Sequence, residues 1–304
     1  MAKIKTKKAL KISLIVYAAI LLVGILATVI WGPKLDINFS GGTKFSYSYT
    51  GDVEIDDFEA TVKTVLTKEE FKVTQSEAIS GDTTTFTISF NDKNTITDKQ
   101  LNSITKALKE NYKANDFELY DSKTVGASIA GTFFLKSLAA VLLTAVFVVI
   151  YVGIRFRKIG GVTAAVTALV ALVLDLLVSY VACVVFRLEI DTNYMAVVLT
   201  ILGYSLNDTI VIYDRVRENK KLYPNLSLEE NMDSSVTTTM KRNIVTTSTT
   251  ILAIITIIVV SEIFGLTTLR TFAIPMAFGL ISGCISSLFV AGPLWVMWRK
   301  KLDA

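Results

Sequence analysis

Six stretches of the chain are apolar almost without interruption, at about 10–31, 133–153, 162–186, 194–213, 245–264 and 271–296. Runs of roughly 20 apolar residues suffice for a helix to cross a hydrocarbon core of about 30 Å. Between the first and second runs the pattern changes, and residues 34–130 become largely polar. The pattern predicts a polytopic α-helical membrane protein of six transmembrane helices, with one soluble domain inserted after the first.

The soluble segment resolves into elements. KFSYSYT (44–50) alternates polar and apolar residues, as a half-buried strand does. DVEIDDFEATVKTVL places Ile55, Phe58, Val62, Val65 and Leu66 at helical spacing. FKVTQSEAI and TTTFTISF read as two strands, with Phe86, Ile88 and Phe90 on one face of the second and a turn at SGD, 80–82. Thr97-x-x-Gln100 is a capping-box pattern and opens a helix with Leu101, Ile104 and Leu108 on one side. FELYDSKTV closes the domain as a strand. The order β-α-β-β-α-β is the split βαβ, or ferredoxin-like, plan. That plan fixes no activity. Edge addition of an extended polypeptide and a plain spacer role both fit it.

Charge then orients the helices. Outside the long first loop, Lys and Arg concentrate on one side. They lie in the N-terminus (Lys3, Lys5, Lys7, Lys8, Lys11), in RFRK at 155–158, in the loop 215–243 and at Arg299, Lys300 and Lys301. Only Lys136, Arg187 and Arg270 fall on the other side. The positive-inside rule therefore predicts cytoplasmic termini and an extracytoplasmic domain. The expected organisation is 1–33 (N-terminus and first helix), 34–130 (βαββαβ domain), 131–298 (five helices) and 299–304 (C-terminus). The first run is too long for a signal h-region and is expected to stay as an anchor. NLSLEENMDSSVTTTM within 215–243 fits an interfacial amphipathic helix with Leu226, Leu228 and Met232 on its apolar side. A solvated connector fits it equally.

Composition removes several chemistries. The net charge of +4 reflects the topological asymmetry rather than a nucleic-acid surface, so no nucleic-acid partner is expected. The basic clusters beside the helices set topology more than they recognise a specific lipid, and membrane lipid is expected as a general partner. With no histidine, His-ligated metals and His-based triads are excluded. Cys183 and Cys284 lie in apolar runs and imply neither a disulfide framework nor a metal site. Gly41-Gly42-Thr43-Lys44 lacks Walker spacing, so the chain is not expected to be an enzyme or to need a cofactor.

Charged residues inside the helices carry the functional signal. A carboxylate near the middle of a span costs at least about 2.5–3.5 kcal/mol on insertion scales and persists where it has a partner or a task. Asp175, in VALVLDLLVSY, and Asp208, in GYSLNDTIVIYDRVREN, both qualify. Tyr204, Asn207 and Asp208 form a polar stripe that reads as a face turned toward other helices. Lys241, Arg242 and NIVTTSTT bring a cation and hydroxyls to similar depth in the fifth helix, so a pair between Asp208 and Arg242 is geometrically reasonable. A structural pair and a proton relay, with a moving arginine switching the carboxylate, both satisfy these residues. Gly279-x-x-x-Gly283 in the sixth helix is a close-packing pattern.

LDINFSGGTKF after the first helix, ALVLDLLVSY, GYSLNDTIVIYDRVREN, RNIVTTSTT and FGLISGCISSLFVAGPL run in order through nearly the whole chain. Together they resemble the SecF branch of the SecD/SecF family, within the resistance-nodulation-division (RND) superfamily. The resemblance implies half of a twelve-helix unit completed by SecD in the bacterial plasma membrane. It implies work with the SecYEG translocon on a preprotein, with the proton-motive force driving late translocation. It assigns the proton-responsive carboxylate to Asp208, the arginine of the fifth helix to Arg242, the third-helix aspartate to Asp175 and the extracytoplasmic motif to Asp36, Gly41 and Gly42. Leu174 stands where many relatives have histidine, and Asn243 and Ser248 where Thr and Gly are common. A non-conducting scaffold and half of a small-molecule exporter are the competing roles. Carboxylates, hydroxyls and carbonyls suit sodium as well as protons.

Overall fold

The computed structural model describes residues 5–66, 71–77, 84–91, 96–264 and 267–303. The first apolar run forms α1 (Thr6–Trp31). A short β1 (Lys34–Leu35) and a single turn, α2 (Ile37–Ser40), lead into β2 (Gly42–Tyr49). The domain continues through α3 (Ile55–Val65), β3 (Phe71–Glu77), β4 (Thr84–Asn91), α4 (Asp98–Asn111) and β5 (Glu118–Val125). The proposed turn at 80–82 lies outside the described residues.

The sheet order is β3-β4-β2-β5, antiparallel at every pairing. β4 thus sits between β2 and β3, which is the split βαβ arrangement. Alternation decides which face is covered. Phe45, Tyr47, Tyr49, Phe86, Ile88 and Phe90 point into one core with Phe58 and Val62 of α3 and Ile104 and Leu108 of α4. Tyr49 stacks on Phe86 and Phe117 at 4.6 and 4.9 Å. Thr97 and Gln100 close the capping box at the start of α4.

The remaining runs are α5 (Ala127–Arg155), α6 (Gly161–Val185), α7 (Thr192–Leu222), α8 (Leu228–Ile263), α9 (Thr267–Ser286) and α10 (Gly292–Asp303). A strand β6 (Glu189–Ile190) precedes α7, and a π-helical turn, Ser287–Ala291, joins α9 to α10. Six spans are long and apolar enough to cross a membrane, the last running from Thr268 to Leu302. The chain is a multi-pass helical membrane protein.

α6 forms the centre of the bundle. It packs on α1, α5, α7 and α9, and its buried face is rich in alanine, which lets neighbours approach. α1 and α5 leave most of their apolar side chains uncovered, as helices facing lipid or another chain do. α8 differs from the expectation of a separate interfacial helix. It runs unbroken for 36 residues from a Ser227–Glu230 capping box, and its first turns carry Leu228 and Met232 onto the bundle while Leu226 stays exposed. Packing against Gly292, rather than the interface, takes the apolar side of that segment.

Domain and bundle are joined by backbone and charge. β1 pairs in parallel with β6, Lys34 opposite Glu189. Phe39 of α2 packs on Phe133 and Phe134 of α5 at 5.4 and 6.0 Å.

Candidate functional site

The polar centre forms where α6, α7 and α9 approach each other. A Cβ on Gly283 would lie 2.9 Å from Ser205 Cβ, and one on Gly279 would collide with Ile201. The two glycines therefore bring α9 onto α7, as the small-residue spacing implied. Beyond Ser286 the helix widens to π geometry. Pro293, which has no N–H to close an α-helical bond back to Phe289, follows the turn after Gly292. Such π segments recur at functional sites.

Asp175 occupies this centre with no solvent exposure. Three hydroxyls donate to its carboxylate: Ser205 of α7 at 2.6 Å, Ser282 of α9 at 2.6 Å and Ser286 of α9 at 2.9 Å. Tyr17 of α1 adds an outer contact, its hydroxyl donating to the Ser282 carbonyl at 3.0 Å. Ser287 donates to the Ser205 carbonyl at 3.1 Å and shares a 2.8 Å bond with Thr209. A serine hydroxyl donates to a carboxylate and can turn to accept from a carboxylic acid, so this shell accommodates both protonation states.

Asp208, on the same helix as Ser205, is also buried, at 2% exposure, but its shell is thin. Thr247 of α8 is its side-chain partner at 3.5 Å, at the long limit of a hydrogen bond. Asn243 donates to its backbone carbonyl at 3.5 Å. The ion pair with Arg242 is not formed. Arg242 is exposed, lines a cleft of about 450 Å³ with Asp214, Arg217 and Lys221, and reaches Asp208 only through space. Helical phase explains the difference: Asn243 and Thr247, four apart, share the face toward α7, and Arg242 is one residue off it.

The polar stripe on α7 divides. Tyr204 turns to α8, its hydroxyl donating to the Thr246 carbonyl at 3.0 Å and lying 2.7 Å from Thr250 Oγ1. Asn207 is exposed and does not join the packed face, a correction to the expected stripe. Position 207 is 100° around the helix from 208, enough to turn it outward.

The motif after α1 is a structural clamp between domain and bundle. Asp36 caps α2 through the Asn38 N–H at 2.9 Å and pairs with Lys44 at 2.6 Å, and Lys44 also reaches Glu189 at 2.9 Å. Burial opposes the Asp36 charge, yet Lys44 and the Asn38 N–H outweigh it and hold the carboxyl below its ordinary range. Burial likewise opposes the Lys44 charge, and its two carboxylates overcome that and raise it. Gly41 ends α2 at φ +75, and Gly42 sits at φ +135, where a side chain would strike the Phe90 carbonyl.

Ser205, Ser282 and Ser286 were not singled out from the sequence as ligands. Ser282 and Ser286 stand four apart on the α9 face beside Gly279 and Gly283, and that spacing was the available signal.

Residues 103–301 match the family described as "Protein export membrane protein SecD/SecF, C-terminal". Over 305 residues the chain is 33% identical to the protein translocase subunit SecF of Acidaminococcus fermentans, covering 99% of each chain. It is 31% identical over 271 residues to the SecF of Sebaldella termitidis, covering 88% of this chain and 83% of that one. Among solved structures it is similar to SecDF, a translocon-associated membrane protein from Thermus thermophilus, with a TM-score of 0.73 and 28% identity. That match covers 94% of this chain and 37% of SecDF, so the chain spans little more than a third of the SecDF length.

Proposed function

The chain belongs to the SecD/SecF family of protein-export membrane proteins, and from that premise we propose that it couples the proton-motive force to late steps of preprotein translocation. Its role in protein export is SecF-like. The observation that carries the coupling is the contrast between two buried carboxylates, Asp175 on α6 and Asp208 on α7, which α7 links because Ser205, a ligand of Asp175, stands one turn before Asp208. Asp175 is held by three short bonds, whereas Asp208 has a single long one and a cation nearby that is free to approach. A group so loosely held is suited to change protonation or partner. One charge crossing 100 mV supplies about 2.3 kcal/mol, enough to bias a two-state rearrangement.

In this reading Asp208 carries the proton, Arg242 approaches it in one state and withdraws in another, and Asp175 transmits the change between α6, α7 and α9. The chain associates with SecD and the translocon, and its uncovered α1 and α5 faces leave surface for such contact. The finer assignments are SecYEG and the preprotein as partners and the bacterial plasma membrane as location. The termini are then cytoplasmic, the domain is extracytoplasmic, and the chain performs no enzymatic chemistry.

The scaffold role draws on the same Asp175 shell, since three serine bonds across helices also serve simply to hold them together. Asp208→Asn in proteoliposomes containing the whole export complex separates the two. The coupling reading expects gradient-stimulated export to be lost while the complex still assembles. Export that responds to an imposed gradient as before, in a correctly assembled complex, leaves only the scaffold. A sodium gradient replacing the proton gradient in the same assay identifies the ion.

A further inference from the structure

A cleft of about 460 Å³ lies between the soluble domain and the helix ends on the domain's side of the bundle. Three spans meet there. Lys34 follows the end of α1 by three residues, Arg187 follows α6 by two, and Arg270 belongs to the first turn of α9. The opposite wall is the uncovered face of the sheet, with Lys72 and Thr74 on β3 and Thr87 on β4.

Five cations line the cleft, Lys34, Lys44, Lys72, Arg187 and Arg270, against the carboxylates of Asp36, Glu189 and Asp191. Those carboxylates are engaged. Asp36 and Glu189 hold Lys44, and Asp191 caps α7, accepting from the Tyr194 N–H and from Asn193 Nδ2 at 2.9 Å each. Arg270 pairs with Glu262 at 3.2 Å. Lys34, Lys72 and the outer nitrogens of Arg187 have no salt bridge to a carboxylate among the described residues.

These three cations are nonetheless brought together. Lys34 and Lys72 line the same cleft from its two walls. Burial, with the Lys72 and Arg187 charges, brings Lys34 down to about 8 despite Glu189. Arg187 is pinned in place: its Nη1 donates to the carbonyls of Trp31 and Gly32 at 2.8 and 3.2 Å, and its backbone is held at φ +57. Like charges gathered at one point repel unless an anion lies between them. Of the three bases outside the domain on this side, Lys136, Arg187 and Arg270, two line this cleft.

We propose that the cleft binds a phosphate group, presented by an anionic lipid headgroup. An arginine fork beside lysine point charges suits the several oxygens of phosphate. The position at the ends of three spans is the level of headgroups, and the exposed Phe186 ring at its edge offers apolar contact to a lipid that free phosphate would not use. The site rests only on the helices spanning a bilayer and is independent of proton coupling.

The test uses the full chain purified in dodecyl maltoside and titrated with dihexanoyl phosphatidylglycerol, with bound lipid counted by native mass spectrometry. Inorganic phosphate, dihexanoylglycerol and a Glu-rich pentapeptide form parallel arms. Saturable binding of the phospholipid is expected, weakened at least tenfold by Lys34→Gln with Lys72→Gln. Lys34→Arg with Lys72→Arg should retain it, and Lys63→Gln on the far side of the domain should leave it unchanged. If the double glutamine chain does not fold, Lys72→Gln alone, at an exposed position, is expected to weaken binding several-fold. Equal affinity in the glutamine variants, or equal binding of dihexanoylglycerol, overturns the site. Inorganic phosphate binding as tightly as the lipid reassigns it to free phosphate, and tighter peptide binding reassigns it to polypeptide; either overturns the lipid.

Discussion

Ser205 donates its hydroxyl to Asp175 across 2.6 Å, and three residues further along the same helix stands Asp208. One turn of α7 thus touches both buried carboxylates. A shift of α7 that repositions Asp208 against α8 must also strain or release the bond to α6. The two groups form a mechanical unit even though they share no ligand.

The first consequence concerns Asp175. If it transmits the change at Asp208, Asp175→Asn abolishes gradient-stimulated export while the chain still folds, because asparagine fills the same volume but cannot satisfy three donors. Ser205→Ala removes one bond and is expected to cost about 1 kcal/mol of stability. Thermal unfolding in detergent reads the stability, and the proteoliposome assay reads coupling. A folded Asp175→Asn chain with full gradient response makes Asp175 a helix clamp and nothing more.

Arg242 behaves differently because it is exposed and makes no ion pair among the described residues. Arg242→Gln should therefore change stability by less than about 0.5 kcal/mol, as surface substitutions do. It should nevertheless reduce gradient-stimulated export as strongly as Asp208→Asn. A normal gradient response with Arg242→Gln removes the arginine from the mechanism.

What the sequence disclosed and what it withheld follow one physical line. Length and apolar continuity located the spans, and the alternation of Phe86, Ile88 and Phe90 located the covered face of the sheet, because both are periodicities within a single element. The shell of Asp175 is of another kind. Its serines lie 30, 107 and 111 residues away in the chain, and only the packing of three helices brings them together. Helical phase was the other hidden variable. Depth placed Arg242 level with Asp208, but rotation by one residue turned Asn243 and Thr247 inward instead and left Asn207 outside. The break expected between an interfacial helix and the fifth span was absent because no proline or glycine interrupts residues 228–263.

The approach of α9 to α7 gives a packing prediction. A Cβ at position 279 collides with the end of the Ile201 side chain, so Gly279→Ala should destabilise the chain by about 1–3 kcal/mol. Ile201→Val removes the colliding methyl and should restore part of that loss, giving a non-zero coupling in a double-mutant cycle of thermal unfolding. Strictly additive effects would mean that the helices do not meet at these two residues. Gly283→Ala presses on Ser205 instead and is expected to lower gradient response along with stability.

The clamp of Asp36 and Lys44 predicts a pH dependence with a definite sign. The Asp36 carboxyl is held below its unfolded value, so its contribution is present above about pH 4 and is lost as pH falls through the lower folded value. Lys44 is raised, so its contribution is complete below about pH 10 and is lost only as pH rises beyond it. Between these limits the clamp is constant, and acid is the condition that loosens the domain from the bundle. Asp36→Asn isolates the charge, since asparagine caps a helix as well as aspartate does. It should destabilise the chain near neutral pH by about 1.5–3 kcal/mol, the range for hydrogen bonds to charged groups. The difference from the unaltered chain should shrink as pH falls below about 4 and close as pH passes through the lower folded value of Asp36. Thermal unfolding of both chains between pH 3 and pH 8 measures this convergence. Parallel curves with a constant offset would place the Asp36 contribution in packing, and an absent offset would leave β1–β6 pairing and the α2–α5 contact as what holds the domain in place.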